Sequence, residues 1–451
     1  MAVSYNDRIS TRPLGPTGQL AAYPQDLSVS LLAKGIGNAG PQSNVGGQID
    51  TLTRLRDAFA RAQASNPETN ANLSPAPTLL SSASADGTLT KIYTYDIATS
   101  VMDVTGGRLY YGSSNKRGGV ATQNVAADIG NLTFIASPVP ALPNSGENCI
   151  GPYYFKFMTD AISIQIAGAN ATSGILNRFI VNGAYIDRVG NDFSTNIYYK
   201  ITFATKAPRL IEIEAQQTFS SFQIAIDPLS RIWKPKPIDP IRMAITGDSH
   251  TEGLSGIPTT AWNGCSRIMA SLLGVYDMRI SSVGGTGYVK TGTTGLRPPV
   301  LGQMPYWIND GKYDAVIFAG GYNDLGFPNA SITAAALQCW KLARASQPRA
   351  LIVVFGVWGA ARGPDVTLTG TEAAIQAQFN AWADPYSVFI PVSTAYEPWE
   401  FGTGFQGATN GTGNSDNYVY TDGIHMNVAG QQYRGYRMAD AIRQAVYAMT
   451  S

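Results

Sequence analysis

At 451 residues the chain exceeds one ordinary domain, and about two or three are expected. A net charge of +1 with no basic block offers no footprint for nucleic acid or an anionic membrane. Three scattered cysteines (Cys149, Cys265, Cys339) argue against a disulfide framework, and only two histidines (His250, His425) exclude a His-rich metal centre, so no metal or cofactor is called for. The longest apolar run, at about residues 350–361, is too short to span a bilayer. The first residues lack the apolar core of a signal peptide. The expected location is therefore the cytoplasm, or the outside by way of a virion or an export route that the sequence does not show.

Residues 1–87 read as an N-terminal segment. Its first part is rich in Gly, Pro, Asn, Ser and Gln, and residues 35–40 spell GxGxxG. Pro41 and a polar stretch follow where a helix would have to begin, so turn chemistry is the better reading. Residues 49–65 show a helical period, with Ile49, Leu52, Leu55, Ala58, Phe59 and Ala62 on one stripe. That stripe either packs on its own domain or forms a homo-oligomer through the N-terminal segment. Residues 66–87 read as a linker.

Residues 88–236 change period. Short alternating runs such as Phe155-Lys156-Phe157 and Leu210-Ile211-Glu212-Ile213-Glu214 are separated by turn residues, with a hairpin signal at Asn182-Gly183. This predicts an antiparallel β-sandwich, a candidate carbohydrate-binding module. A proline-punctuated boundary follows. From there to residue 451 strands and helices alternate, with strand candidates 242–246, 277–283, 314–320, 350–357 and 387–392. Helix candidates are 260–273, 330–346, 370–383 and 428–449. That alternation predicts a parallel sheet with helices on both faces.

The chemistry-bearing residues fall at the carboxyl ends of these strands, where an open α/β sheet places its site. Ser249, in Gly247-Asp248-Ser249-His250, is the candidate nucleophile. His425, in Asp422-Gly423-Ile424-His425, is the candidate base, and Asp422 can fold back to orient its ring. The candidate oxyanion donors are the Ser249 amide, a glycine amide in Gly284-Gly285-Thr286-Gly287 and the Asn323 carboxamide. Gly285 is taken for the glycine, with Gly284 and Gly287 as alternatives. Singly, each is an ordinary turn residue; their convergence on one sheet edge makes the site. His250 is read as structural or substrate-facing, Asp248 as a hydrogen-bonding turn residue, and Tyr322, Trp358 and Trp399 as core or rim. Tyr322 and Trp358 are the candidate pocket residues.

These four blocks, taken in order, resemble the SGNH (GDSL-type) hydrolases over residues 241–451. The resemblance implies a three-layer flavodoxin-like domain over 237–451 and ester hydrolysis through an acyl-serine. It implies Ser249 as nucleophile, His425 as base, Asp422 as its orienter, and Ser249, Gly285 and Asn323 as the oxyanion hole. No Gly-x-Ser-x-Gly elbow surrounds Ser249, which argues against the α/β-hydrolase arrangement.

No amphipathic lid of Leu and Phe precedes the last helix. Residues 397–421 are instead Gly-, Asn- and Thr-rich, with Tyr418 and Tyr420, which suits a hydrated carbohydrate better than a lipid. A sandwich ahead of such a domain also resembles two-domain carbohydrate acetylesterases with a jelly-roll-like module. The expectation is an O-acetylesterase acting on O-acetylated polysaccharide. A virion spike or tail component trimming host surface glycan is one setting for it. A lipid or thioester hydrolase and a non-catalytic glycan-binding protein are the alternatives.

Overall fold

The computed structural model describes residues 45–68, 70–94, 101, 103–106, 122–124, 138–140, 153–170, 176–188, 190–192, 197–215, 219–236, 241–252, 263–275, 277–292, 298–308 and 311–451. The GxGxxG run at 35–40, Cys149 and the first residues of the helix expected at 260–273 lie outside them. The described parts of residues 45–63 and 241–451 form one compact unit, and those of residues 64–240 form the other.

The first unit is the α/β domain. Its strands are β1 (Arg242–Gly247), β2 (Asp277–Ile280), β3 (Ala315–Ala319), β4 (Leu351–Phe355) and β5 (Ser387–Ile390). All pair in parallel in the order β2-β1-β3-β4-β5, the doubly wound flavodoxin-like order. Every residue of β3, β4 and β5 is buried, as expected for strands covered on both faces. The helices are α1 (Val45–Ala64), α2 (Cys265–Leu272), α3 (Asn329–Ser346), α4 (Val366–Trp382) and α5 (Val428–Met449). Asp365 caps α4 by accepting the Leu368 N–H, and Asn427 caps α5 by accepting that of Gly430.

Helix α1 corrects the expected boundaries. Leu52, Leu55, Ala58 and Phe59 are buried in one cluster with Met243, Leu273, Ile317, Leu351 and Val446. Arg54 Nη1 donates to Asp314 Oδ1 at 2.6 Å, and Gln48 Nε2 to the Pro348 carbonyl at 2.8 Å. The α/β domain therefore takes a helix from before the sandwich. Of the two readings of its stripe, packing within a domain is the one observed, and this domain's own core occupies it.

The second unit is an antiparallel β-sandwich. One sheet runs in the order Thr78–Ser82, Ile197–Thr202, Ser163–Asn170, Phe219–Ile226, Lys91–Thr94. The other runs Asn191–Asp192, Leu176–Val181, Arg209–Ala215, Tyr153–Thr159, Ile232–Trp233. Phe155, Phe157, Ile164, Ile166, Ile201, Ile211, Ile213 and Ile224 are fully buried. Phe179 of one sheet meets Tyr199 of the other at 6.1 Å between ring centroids. Asn182 (φ 50°) and Gly183 (φ 81°) make the expected two-residue hairpin, pairing Val181 with Ala184.

The stretch at 66–87 is not a free linker. Thr78–Ser82 is an edge strand, Asn70 Nδ2 donates to the Gly183 carbonyl at 2.8 Å, and Glu68 joins a buried cluster with Arg178, Tyr185 and Glu214. Its Pro- and Ser-rich composition hid a strand whose partners lie more than a hundred residues away.

Candidate active site

The site is assembled where the strand order reverses, above the carboxyl ends of β1 and β3. The chain leaves β1 through Gly247 and Asp248 and enters a single helical turn, Ser249–Glu252. Gly247 is required by close approach: a Cβ there would stand 2.3 Å from the Ala319 carbonyl oxygen. Asp248 accepts the His250 N–H on Oδ1 at 2.9 Å, and its carbonyl accepts from the Thr251 and Glu252 amides. It is thus the bonding turn residue expected. Burial pushes its carboxyl up to about 7, against the pull of the His250 amide and Arg434.

Ser249 Oγ stands 2.8 Å from His425 Nε2, across 176 residues of chain. His425 Nδ1 stands 2.6 Å from Asp422 Oδ2. Asp422 Oδ1 also accepts the Ile424 and His425 amides, each at 2.9 Å. Burial opposes ionisation of Asp422, but these hydrogen bonds win and hold its carboxyl below the usual carboxylate range. An ionised Asp422 can only accept, so Nδ1 carries the ring proton and Nε2 faces the hydroxyl as the acceptor. That arrangement can draw a proton from Ser249 Oγ.

Asn323 lies in the turn after β3, and its Nδ2 donates to the Thr286 carbonyl at 3.0 Å. A carboxamide has two N–H groups, so this bond aims the second without consuming it. Among the three glycines, Gly287 donates its amide to the Lys290 carbonyl at 3.0 Å, and Gly284 is buried. Gly285 is partly exposed, and no acceptor for its amide is found among the described residues.

Asp324 received no role from the sequence, yet it shapes this loop. Its carboxylate accepts the amides of Tyr288 (2.7 Å), Val289 (3.0 Å) and Lys290 (2.9 Å). A Cβ on Gly287 would stand 2.4 Å from Asp324 Oδ1, so only glycine fits there. The one available signal was that Asp324 shares a turn with Asn323.

His250 is fully enclosed, with its Nδ1 3.1 Å from Arg434 Nη1, as the structural reading expects. Burial, with Arg434 and His425 nearby, holds its imidazole well below the ordinary range, so it stays neutral and is not the base. Tyr322 is half-buried and meets His250 edge-on at 4.8 Å. Trp358 is not a pocket residue. It is fully buried, packs on Phe355 and Trp399 at 5.8 Å each, and carries the Arg434 guanidinium 4.3 Å over its ring. The segment beyond β4 turns into the core, and a position just past a strand end does not reveal that. Trp399 is likewise core.

Among the described residues no group of acidic, Cys and His side chains could hold a metal ion, and no helix is long and apolar enough to cross a membrane.

The class of protein is a carboxylic ester hydrolase, on the strength of a family match over the C-terminal part of the chain. Residues 245–433 match the model of the GDSL-like lipase/acylhydrolase family, so the C-terminal part of the chain is a GDSL-like hydrolase domain of the SGNH fold. Similar solved structures include a family two carbohydrate esterase from Cellvibrio japonicus (TM-score 0.48, 11% identity, 82% of this chain and 99% of that one). They also include the acetyl xylan esterase Est2A from the rumen bacterium Butyrivibrio proteoclasticus (0.46, 13%, 78% and 98%). A third is a family two carbohydrate esterase from Clostridium thermocellum in complex with cellohexaose (0.46, 14%, 65% and 92%). No curated protein matches the sequence.

Proposed function

We propose that the chain is a serine esterase that removes O-acetyl groups from polysaccharide. The observation that carries the chemistry is the continuous line from Asp422 through His425 to Ser249, at 2.6 and 2.8 Å. Ser249 Oγ attacks the ester carbonyl as its proton passes to His425 Nε2. Asp422 fixes the tautomer and stabilises the imidazolium that forms. The oxyanion is received by the Ser249 and Gly285 amides and the free N–H of Asn323. Collapse releases the sugar hydroxyl, which takes the proton back from His425. Water, activated by the same ring, then frees acetate.

The carbohydrate reading is supported by the rim beside His425. A Cβ on Gly423 would lie 3.7 Å from the Phe405 ring, so the loop following Phe405 borders the Asp422–His425 turn. Its Gln406, Thr409, Asn410 and Thr412 are exposed, polar and uncharged. Asp416 pins that loop by accepting the Asn410 and Gly411 amides, at 3.0 and 2.6 Å. Tyr418 is spent on stacking against Tyr433 at 4.5 Å. A pinned polar rim favours a sugar over an acyl chain. The virion setting and a host surface glycan rest on the composition of the N-terminal segment alone. The 49–62 stripe is not free for self-association, since its Leu52, Leu55, Ala58 and Phe59 are buried in the hydrolase domain.

The test is a panel of p-nitrophenyl esters together with acetate release from an O-acetylated polysaccharide. Acetate cleaved well and octanoate poorly supports this reading. The reverse order makes the enzyme a lipid or thioester hydrolase, and no turnover makes it a binding protein.

A further inference from the structure

We propose that Arg434 and Glu400 are positioning residues for ester cleavage, acting through His250 to fix the peptide that carries the nucleophile. The inference rests on Ser249 being that nucleophile.

His250 follows Ser249 directly and is tied down from three sides. Its N–H donates to Asp248 Oδ1 at 2.9 Å, its carbonyl accepts from Cys265 Sγ at 3.3 Å, and its ring Nδ1 lies 3.1 Å from Arg434 Nη1. A guanidinium can only donate, so Nδ1 is the acceptor and the single ring proton sits on Nε2. Arg434 is fixed in turn. Its Nε donates to Glu400 Oε1 at 3.0 Å and its plane lies over Trp358. The other Glu400 oxygen accepts the Gly359 N–H at 3.0 Å.

The Arg434 and Glu400 side chains are both 0% exposed, a costly place for an ion pair. A buried pair seldom stabilises a fold more than apolar side chains of the same volume would. Here the pair selects one tautomer and one ring position for His250. That ring packs 5.7 Å from the His425 ring and edge-on to Tyr322, which immediately precedes Asn323. It is the wall shared by nucleophile, base and oxyanion turn. With Nδ1 occupied by Arg434, the ring has no place for a second proton when His425 becomes imidazolium beside it. The Ser249 amide and Oγ are then held where the oxyanion and the base need them, before substrate arrives.

The test is steady-state kinetics on p-nitrophenyl acetate, with rates divided by active sites titrated with a fluorophosphonate. His250→Phe keeps the ring volume and removes the acceptor, whereas His250→Asn puts a carbonyl oxygen near the place of Nδ1. The expected result is a fall in kcat of about a hundredfold for His250→Phe at unchanged KM, with most of the loss recovered in His250→Asn. Arg434→Lys, which keeps the charge and loses the planar fork, is expected to fall between them. A purely structural role would lower the titrated fraction or the melting temperature but not the rate per site. Wild-type kcat per site in His250→Phe, or in Arg434→Lys should the former not fold, overturns the proposal. Turnover surviving in Ser249→Ala would instead overturn the nucleophile assignment, a separate result.

Discussion

Asp422→Asn is the substitution that interrogates the site most sharply, because it leaves shape intact and changes one proton. Asp422 uses Oδ1 for the Ile424 and His425 amides and Oδ2 for His425 Nδ1. Asparagine can keep the first pair through its carbonyl oxygen, so the turn should survive. Its NH2 then faces Nδ1, and two donors cannot share a hydrogen bond. The ring must switch tautomer, placing its proton on Nε2, the atom 2.8 Å from Ser249 Oγ. A protonated Nε2 cannot take the hydroxyl proton, and the nucleophile is left unactivated. The expected loss is about 10⁴ in kcat, or roughly 5 kcal/mol at 1.36 kcal/mol per decade. KM for p-nitrophenyl acetate should hardly move, since ground-state binding does not use this proton. Initial rates over a range of substrate, on protein with an unchanged melting temperature, give both constants. A kcat within tenfold of wild type would refute the reasoning, as would a loss confined to KM.

Other outcomes follow from the same geometry. Asn323→Ala removes one oxyanion donor and should cost about 10²–10³ in kcat with KM largely preserved; an effect on KM alone would remove Asn323 from the oxyanion hole. Asp248 is held up to about 7 by burial, whereas an unfolded aspartate ionises near 3.8. The native state therefore keeps a proton that the unfolded state gives up. That stability is present below about 3.8 and is lost as pH rises through about 7. Asp248→Asn should thus raise the melting temperature more at pH 8 than at pH 5, and an equal or opposite difference would contradict the burial argument. Phe59→Ala, in the helix preceding the sandwich, empties a fully buried site in the core of the hydrolase domain. It should cost about 3–5 kcal/mol in urea unfolding of that domain. A loss below about 1 kcal/mol would mean the helix is not part of that core.

What the sequence disclosed, and what it hid, divides along a physical line. The parallel strands were legible because strands buried on both faces are continuous apolar runs, and the helix at 428–449 was found to its ends. Ser249, Asn323, Asp422 and His425 were legible only together: each alone reads as a turn residue, and their order at successive strand ends pointed to one sheet edge, where Ser249, His425 and Asp422 do meet. Beyond the Ser249–His425 pair, partnerships across the chain were not legible. Arg434 and His250 meet over 184 residues with no spacing to announce it. The stripe of α1 shows that it is amphipathic, not that its partner is a domain beginning almost two hundred residues later. Trp358 was placed at the right strand end but on the wrong side of the chain, since periodicity is lost beyond β4. The strand Phe219–Ile226 shows no clean period in the sequence, because Ser220 and Ser221 interrupt its alternation where the register also shifts.

The most direct measurement is peptide mapping by mass spectrometry after reaction with a fluorophosphonate. The account predicts a single adduct on Ser249, formed in step with loss of esterase activity and abolished in His425→Ala. An adduct on another residue, or full inactivation with Ser249 unmodified, would contradict it.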